Sequence, residues 1–248
     1  MKYSNAWPCS RLLRSRRFFQ RVLRTFCALG VFSISGALSI LVLPAFARAE
    51  EAQVPAEKPL TLELLMESMA TTRGVKAEFR EEKHLALLVE PLTTEGELYF
   101  VPPRRLARRT TRPGRTVFVI DGDRFHFRDE TGDESFNLSQ NPIAREFVEN
   151  FIVLFNGDLA ELKRRYEVSF RVGAEQWELS LRPRQAPLSD LVESITMRGD
   201  GRQLGEMEMQ EKDGDRTVTR FSSVEVDRVF SEDEQRSLFA IPDTAPAP

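Results

Sequence analysis

Cysteine is nearly absent from this chain of 248 residues: there are two, Cys9 and Cys27, both close to the N-terminus. Everything downstream lacks a thiol, which excludes disulfides, cysteine-ligated metal sites and thiol catalysis there. Histidine is equally scarce. His84 and His126 fall on separate expected strands, too few for a metal site, and both read as ordinary strand residues. Also missing are a Gly-X-Ser-X-Gly elbow, a phosphate-binding Walker loop and a dinucleotide fingerprint. Asp121-Gly122-Asp123 and Asp213-Gly214-Asp215 lack the spaced oxygen ligands and distal Glu of a calcium loop, so they read as turns. No catalytic group, metal or cofactor is expected.

Acidic residues are absent from the first 49 positions, which carry eight Lys or Arg, an apolar run from Phe26 to Leu43, and then Ala47-Arg48-Ala49. This is the pattern of a cleaved export signal, with the mature chain beginning at Glu50. An uncleaved anchor is the alternative, since about 18 apolar residues can just span a bilayer. Gly30, Ser33, Ser35, Gly36, Ser39 and Pro44 dilute the run and favour cleavage. Export places the working protein in the periplasm, away from ATP and NAD(P)H. Both cysteines leave with the signal, and neither is placed to anchor a lipid. The remainder, about 200 residues, holds 27 basic against 38 acidic residues, a formal charge of −11. Such a chain repels nucleic acid and suits one domain, expected over 61–242, with a leader (50–60) and a tail (243–248) rich in Pro and Ala.

Thr61 caps a short helix whose Leu62, Leu65, Met66 and Met69 form one apolar stripe, with Gly74 as a stop signal. The period then changes to two. Val75, Ala77 and Phe79, then Leu85, Leu87 and Val89, alternate with charged residues and predict one long strand ended by Pro91. A second strand is expected over 96–101, interrupted by Pro102-Pro103. Thr116–Ile120 and Arg124–Arg128 flank Asp121-Gly122-Asp123 as a hairpin. Asn141-Pro142 opens a helix lined by Ile143, Phe147, Phe151, Leu154 and Phe155 up to Gly157, and a second short helix runs over 158–165. Strands are expected again over 167–172, 176–181, 191–197, 203–210 and 216–226, and Ser231 with Glu234 makes a capping box. Nine or ten antiparallel strands with helices grouped at the start, middle and end constitute an α+β plan.

Against the acidic background stands a basic run: Arg104, Arg105, Arg108, Arg109, Arg112 and Arg115. It is open to three readings: a solvated strand face, a dock for lipid headgroups or an acidic partner, or a charge-protected edge. Phe147, Phe151 and Phe155, with Val148 and Ile152 on the neighbouring arc, make a helix that is either deeply buried or covers something greasy.

Several segments in order carry a resemblance: the opening amphipathic helix, Val75-Lys76-Ala77-Glu78-Phe79, Gly96-Glu97-Leu98-Tyr99-Phe100 leading to Pro103, Arg112-Pro113, and Val119 to Phe125. Together they are similar to the LolA family of periplasmic outer-membrane lipoprotein carriers, most clearly from Leu62 to about Phe127. The resemblance implies an open, strongly curved antiparallel half-barrel with helices covering its concave apolar face. It also implies a lipoprotein or acylated lipid as cargo, passed from an inner-membrane donor to an outer-membrane acceptor. Where the family has an Arg-Pro, its Arg latching the helical lid, and a Trp a few residues on, this chain has Pro102 and Arg108. The family latch is therefore not carried over at those positions.

On this reading the acyl-chain site lies between the sheet and the helices over 62–72 and 142–156. Its expected lining is Leu65, Met66, Met69, Phe79, Phe100, Phe147, Phe151, Phe155, Met207 and Met209, flexible and apolar groups that can repack around a chain. The plain alternative is that the same residues fill a closed core. Arg104, Arg105, Arg108 and Arg109 are the expected docking residues, for transient contact with a membrane surface or an acidic partner. The protein is expected to be a monomer and not an enzyme. A non-catalytic lipoprotein or lipid sensor, or an envelope scaffold, is the second reading.

Overall fold

The computed structural model describes residues 60–174 and 176–241. The expected signal over 1–49, the tail over 243–248 and all of the 50–60 leader except Leu60 lie outside the described residues. Helix α1 (Leu62–Ala70) begins at Thr61, whose hydroxyl accepts from the Leu64 N–H at 3.2 Å. Six strands follow as a meander: β1 (Val75–His84), β2 (Leu92–Val101), β3 (Arg105–Arg112), β4 (Thr116–Asp121), β5 (Arg124–Asp129) and β6 (Gly132–Asn137). Helices α2 (Pro142–Asn156) and α3 (Leu159–Arg165) then carry the chain to the far edge. A second meander returns through β7 (Tyr166–Val172), β8 (Trp177–Pro183), β9 (Val192–Asp200), β10 (Gln203–Glu211) and β11 (Arg216–Val226), and α4 (Glu232–Leu238) closes the domain.

The strands form one antiparallel sheet of eleven, in the order β6-β5-β4-β3-β2-β1-β11-β10-β9-β8-β7. The two meanders join where β1 pairs with β11, Phe79 opposite Phe221. β6 and β7 lie at opposite ends, so the sheet is open and not a closed barrel. Register shifts at Lys76/Glu78, Glu95/Gly96, Leu204/Glu206 and Gln210/Glu211 are bulges of the kind that bend strands. At Gly96 a Cβ would lie 2.1 Å from the Arg109 carbonyl oxygen and 2.9 Å from the Phe79 ring, so this bend admits no side chain.

Alternation assigns the two faces. Ala77, Phe79, Leu98, Phe100, Leu106, Phe118, Ile120, Phe125, Met197, Met207 and Met209 point inward and are buried with α1 and α2 in one large core. The outer face is mostly a ladder of cross-strand ion pairs, among them Lys76–Glu97 at 3.4 Å, Arg80–Glu95 at 2.7 Å and Arg198–Glu206 at 2.8 Å. Near β3 the outer face instead carries a small second core: Tyr99, Ala107 and Val119 packed under Phe230 and Phe239. The capping box of Ser231 and Glu234 starts α4 over it, with Ser231 N donating to Glu234 Oε2 at 2.8 Å and Glu234 N to the Ser231 hydroxyl at 3.2 Å.

Three expectations are corrected. The strand expected to run from Val75 to Val89 stops at His84, because β2 already begins at Leu92, opposite Lys83. Leu85 to Val89 keep the alternation in sequence but have no strand to pair with, and they form the hairpin loop. For the same reason β2 starts four residues before the expected Gly96. Strand β6 was not expected: it is an exposed edge with Phe136 as its only large apolar residue, too little for a period-two signal.

His126 is buried on the outer face beside Val119, with Nδ1 at 2.7 Å from the Ser135 hydroxyl and 3.2 Å from Asp133. Burial holds it below the ordinary imidazole value of 6.5, against the opposing pull of Asp133. The unfolded chain therefore binds this proton more readily than the folded one. Its contribution to stability is complete above about pH 6.5 and is lost as the pH falls through the lowered folded value. Urea unfolding as a function of pH should show that decline, and His126→Gln should flatten it.

Candidate functional site

Helix α2 lies across the inner face of the sheet. Asn141 caps it, accepting from the Ala144 N–H at 3.1 Å, with Pro142 in the first turn. Gly157 ends it in the left-handed region at φ 66°, where a Cβ would sit 2.2 Å from the Met66 carbonyl oxygen, so the end of α2 presses directly on α1. Phe147, Val148, Ile152, Val153 and Leu154 are buried, and Phe151 and Phe155 pack partly buried against the same core. Phe155 meets Phe100 at 5.4 Å between centroids, and Phe147 meets Phe151 at 4.9 Å.

Packing under α2 is incomplete. Near α1 a cavity of about 60 Å³ is lined by Met69, Val75, Leu98, Phe100, Phe155 and Phe221, among others. The next, about 40 Å³, shares Leu98, Phe155 and Phe221 and adds Phe79, Leu106, Phe118, Phe147, Phe151 and Met207. A third void of about 10 Å³ lies beyond, between Phe151, Ile195, Met207, Met209 and two threonines. Shared walls make these a row of voids beneath the helix. Eight of the ten expected lining residues are at these voids: Met69, Phe79, Phe100, Phe147, Phe151, Phe155, Met207 and Met209. Leu65 and Met66 do not line them and sit fully packed in the core.

Beyond Phe79 the inner face turns polar while staying dry. Glu81, Lys83, Thr94, Arg108, Thr110, Glu211, Thr217 and Thr219 are all buried. Glu81 Oε1 lies 3.1 Å from Arg108 Nη2, and its other oxygen accepts from the Thr219 hydroxyl at 2.8 Å. The Arg108 guanidinium stands 4.1 Å over the Phe79 ring, where a cation is favoured by the ring's negative face. Burial raises the Glu81 carboxyl above its ordinary value, opposed by Arg108. Lys83 reaches Glu211 at 2.7 Å and Asp215 at 3.7 Å. Glu211, Asp213 and Asp215 bring three carboxylates within 4.8 Å of one another, and the Lys83 ammonium faces two of them.

The four expected docking arginines do not share a face. Arg108 points inward and is buried, so it cannot dock anything on the outside. Arg109 donates to the Ser237 and Leu238 carbonyl oxygens at 2.9 and 3.3 Å, and Arg105 to Asp121 and Gln235 at 2.7 and 2.8 Å, so both support α4 on the outer face. Arg104, in the β2–β3 turn, pairs with Glu149 of α2 and lies 3.4 Å from Asp123. The run splits because consecutive strand positions alternate between faces.

Arg104–Glu149 ties the β2–β3 turn to α2, and Glu149 is not among the expected site residues. Two further contacts fasten α2 at the other side: Arg165 to Glu146 at 2.6 Å, and the Tyr166 hydroxyl donating to the Asn150 carbonyl oxygen at 2.7 Å. Glu146 and Glu149 are charged positions on a mostly apolar helix, whereas the Asn150 contact uses a backbone oxygen and leaves no side-chain signal in the sequence. Removing one member of the buried pair on the sheet leaves a lone internal charge, so Arg108→Ala should lower unfolding free energy by about 3–5 kcal/mol. Replacing both, Glu81→Leu with Arg108→Met, should recover most of that loss in the same denaturant titration.

An outer-membrane lipoprotein carrier protein of Chromohalobacter salexigens is 26% identical over 151 residues, covering 61% of this chain and 69% of that protein. Among solved structures, a LolA superfamily protein from Nitrosomonas europaea aligns with 70% of this chain and 96% of its own, at 9% identity and a TM-score of 0.41. The Pseudomonas aeruginosa MucA/MucB complex aligns with 68% of this chain at 14% identity and a TM-score of 0.43, and this chain spans 56% of that one. The family described as outer membrane lipoprotein carrier protein, LolA-like, matches residues 55–236, and the chain belongs to it.

Proposed function

We propose that this protein is a non-catalytic periplasmic carrier that shields the acyl chains of a lipoprotein or lipid between the inner and outer membranes. The observation that carries this reading is the row of apolar voids between α2 and the sheet, walled by Phe and Met side chains. Each methylene exposed to water costs about 0.8 kcal/mol, so a long acyl chain costs on the order of 10 kcal/mol to bring out of a membrane. A dry site lined with repackable side chains offsets that cost. The relationship to outer-membrane lipoprotein carriers and the signal-like N-terminal sequence support the same reading.

The voids as they stand measure about 60, 40 and 10 Å³, whereas a drug-sized ligand occupies roughly 300–1,000 Å³. This is a closed form, and loading requires α2 to lift from the sheet. What resists lifting is the burial of its Phe side chains together with a few polar fastenings, the Arg104–Glu149 pair among them. Cargo acyl chains replace the Phe contacts with equivalent apolar ones, so opening and loading occur together.

Two measurements test this. Phe151→Asp places a charge among the voids and should weaken binding of a fluorescent fatty-acyl probe at least about tenfold, since an unpaired charge there loses several kcal/mol of hydration. Unchanged affinity with an intact circular dichroism spectrum would rule this cavity out. Arg104→Ser removes a half-buried lid pair, and probe release by stopped flow should quicken by about two- to fivefold, the scale of such pairs.

A further inference from the structure

We propose that the β1–β2 loop is a tip that inserts into the surface of a lipid bilayer. Leu85-Ala86-Leu87-Leu88-Val89 are five consecutive apolar residues. Leu87 and Val89 are exposed at 96% and 103%, more than any other large hydrophobic side chain described, and Leu88 at 47%. A loop that could fold back would cover them. This one is held out: the Leu88 N–H donates to the Leu85 carbonyl at 3.0 Å, and the Ala86 N–H donates to Asp215 Oδ1 at 3.0 Å. The β10–β11 turn thus braces the root of the loop, and a Cβ on Gly214 of that turn would reach the Ala86 Cβ at 3.8 Å.

The chemistry of the tip favours lipid over protein as the occupant. Three aliphatic side chains on a convex turn fall far short of the roughly 800 Å² per partner of a standard protein interface. They carry no donor or acceptor that hydrocarbon would leave unpaired, so shallow burial costs little beyond the turn's own backbone. The exposed charges nearby are mixed, Lys212 and Arg115 against Glu90 and Asp213, which gives anionic lipid little extra hold. Insertion is therefore driven by apolar contact and does not require an anionic membrane. The inference rests on this loop alone and holds whatever the inner cavity binds.

The test uses the chain from Glu50 onward, the expected exported form without the apolar run over 26–43, and phosphatidylcholine vesicles. In Leu87→Trp, indole emission, after subtraction of the parent signal from Trp177, should shift to shorter wavelength on adding vesicles and should be quenched by brominated acyl chains. In Leu87→Ser combined with Val89→Ser, vesicle partitioning should fall at least about tenfold, the low end for withdrawing two such side chains from hydrocarbon. Circular dichroism should be unchanged, because these side chains support nothing. An indole that stays water-exposed at saturating lipid would overturn the proposal. So would binding confined to vesicles containing phosphatidylglycerol and abolished by salt, or self-association through the tip without any vesicle binding.

Discussion

The inner face of the sheet must be kept from water, and the rest of the structure is arranged around that requirement. An eleven-stranded sheet with one apolar face needs a cover as broad as itself. The chain provides it with α1, α2 and α3, of which only α2 is long enough to cross the middle of the face. A 15-residue helix fills the space over a curved sheet with side chains, not backbone, and the phenylalanines bridge the gap. Where they fail to meet, voids remain. Incomplete packing there lowers the cost of separating the cover from the sheet, because part of the dispersion energy of a close-packed interior is never gained.

Polar groups are confined to the ends of this apolar face, where they bound the apolar space beneath α2. Glu81 and Arg108, with threonines on either side, close the floor at the β1–β2 loop end, and Lys83 with Glu211 extends it. Buried pairs of this kind add little net stability compared with apolar residues of the same volume, so their presence bears more on what the site admits than on how tightly the domain holds. Arg104 and Glu149 sit at the rim of the lid, each about a quarter exposed at 25% and 22%, where an ionic contact costs less to break than at the floor. Charge at the floor is thus dry and fixed, while charge at the rim is wet and reversible.

Much of this was legible in the sequence. Asn141-Pro142, Gly157, the Ser231–Glu234 box and the Asp-Gly-Asp turns mark their elements by local chemistry, and the structure places them there. The same is true of Phe79, Phe147, Phe151 and Met207, since period and apolarity together choose the inner face. What failed to show was set by partners far away in sequence. Nothing around Leu85 reveals that the strand has already ended, because that depends on where Leu92 pairs. The arginine run read as one patch because its members are neighbours in the chain, yet Glu81, Glu149 and the carbonyls of α4 draw them to three different places. Polar residues inside a lid helix gain their meaning only from what stands opposite.

The pairing of β1 with β11 has a consequence for how the domain is assembled. Every other strand pair joins neighbours in the chain, so each meander consists of hairpins whose loops close over short distances. β1 and β11 instead bring Val75 against Val226, and the cost of closing that loop must be met before its hydrogen bonds return anything. Non-local pairing of this sort is what slows folding in β-rich domains. The seam runs down the middle of the sheet beside Phe79 and Phe221, two walls of the central void, so that void itself exists only once the most remote parts of the chain have met.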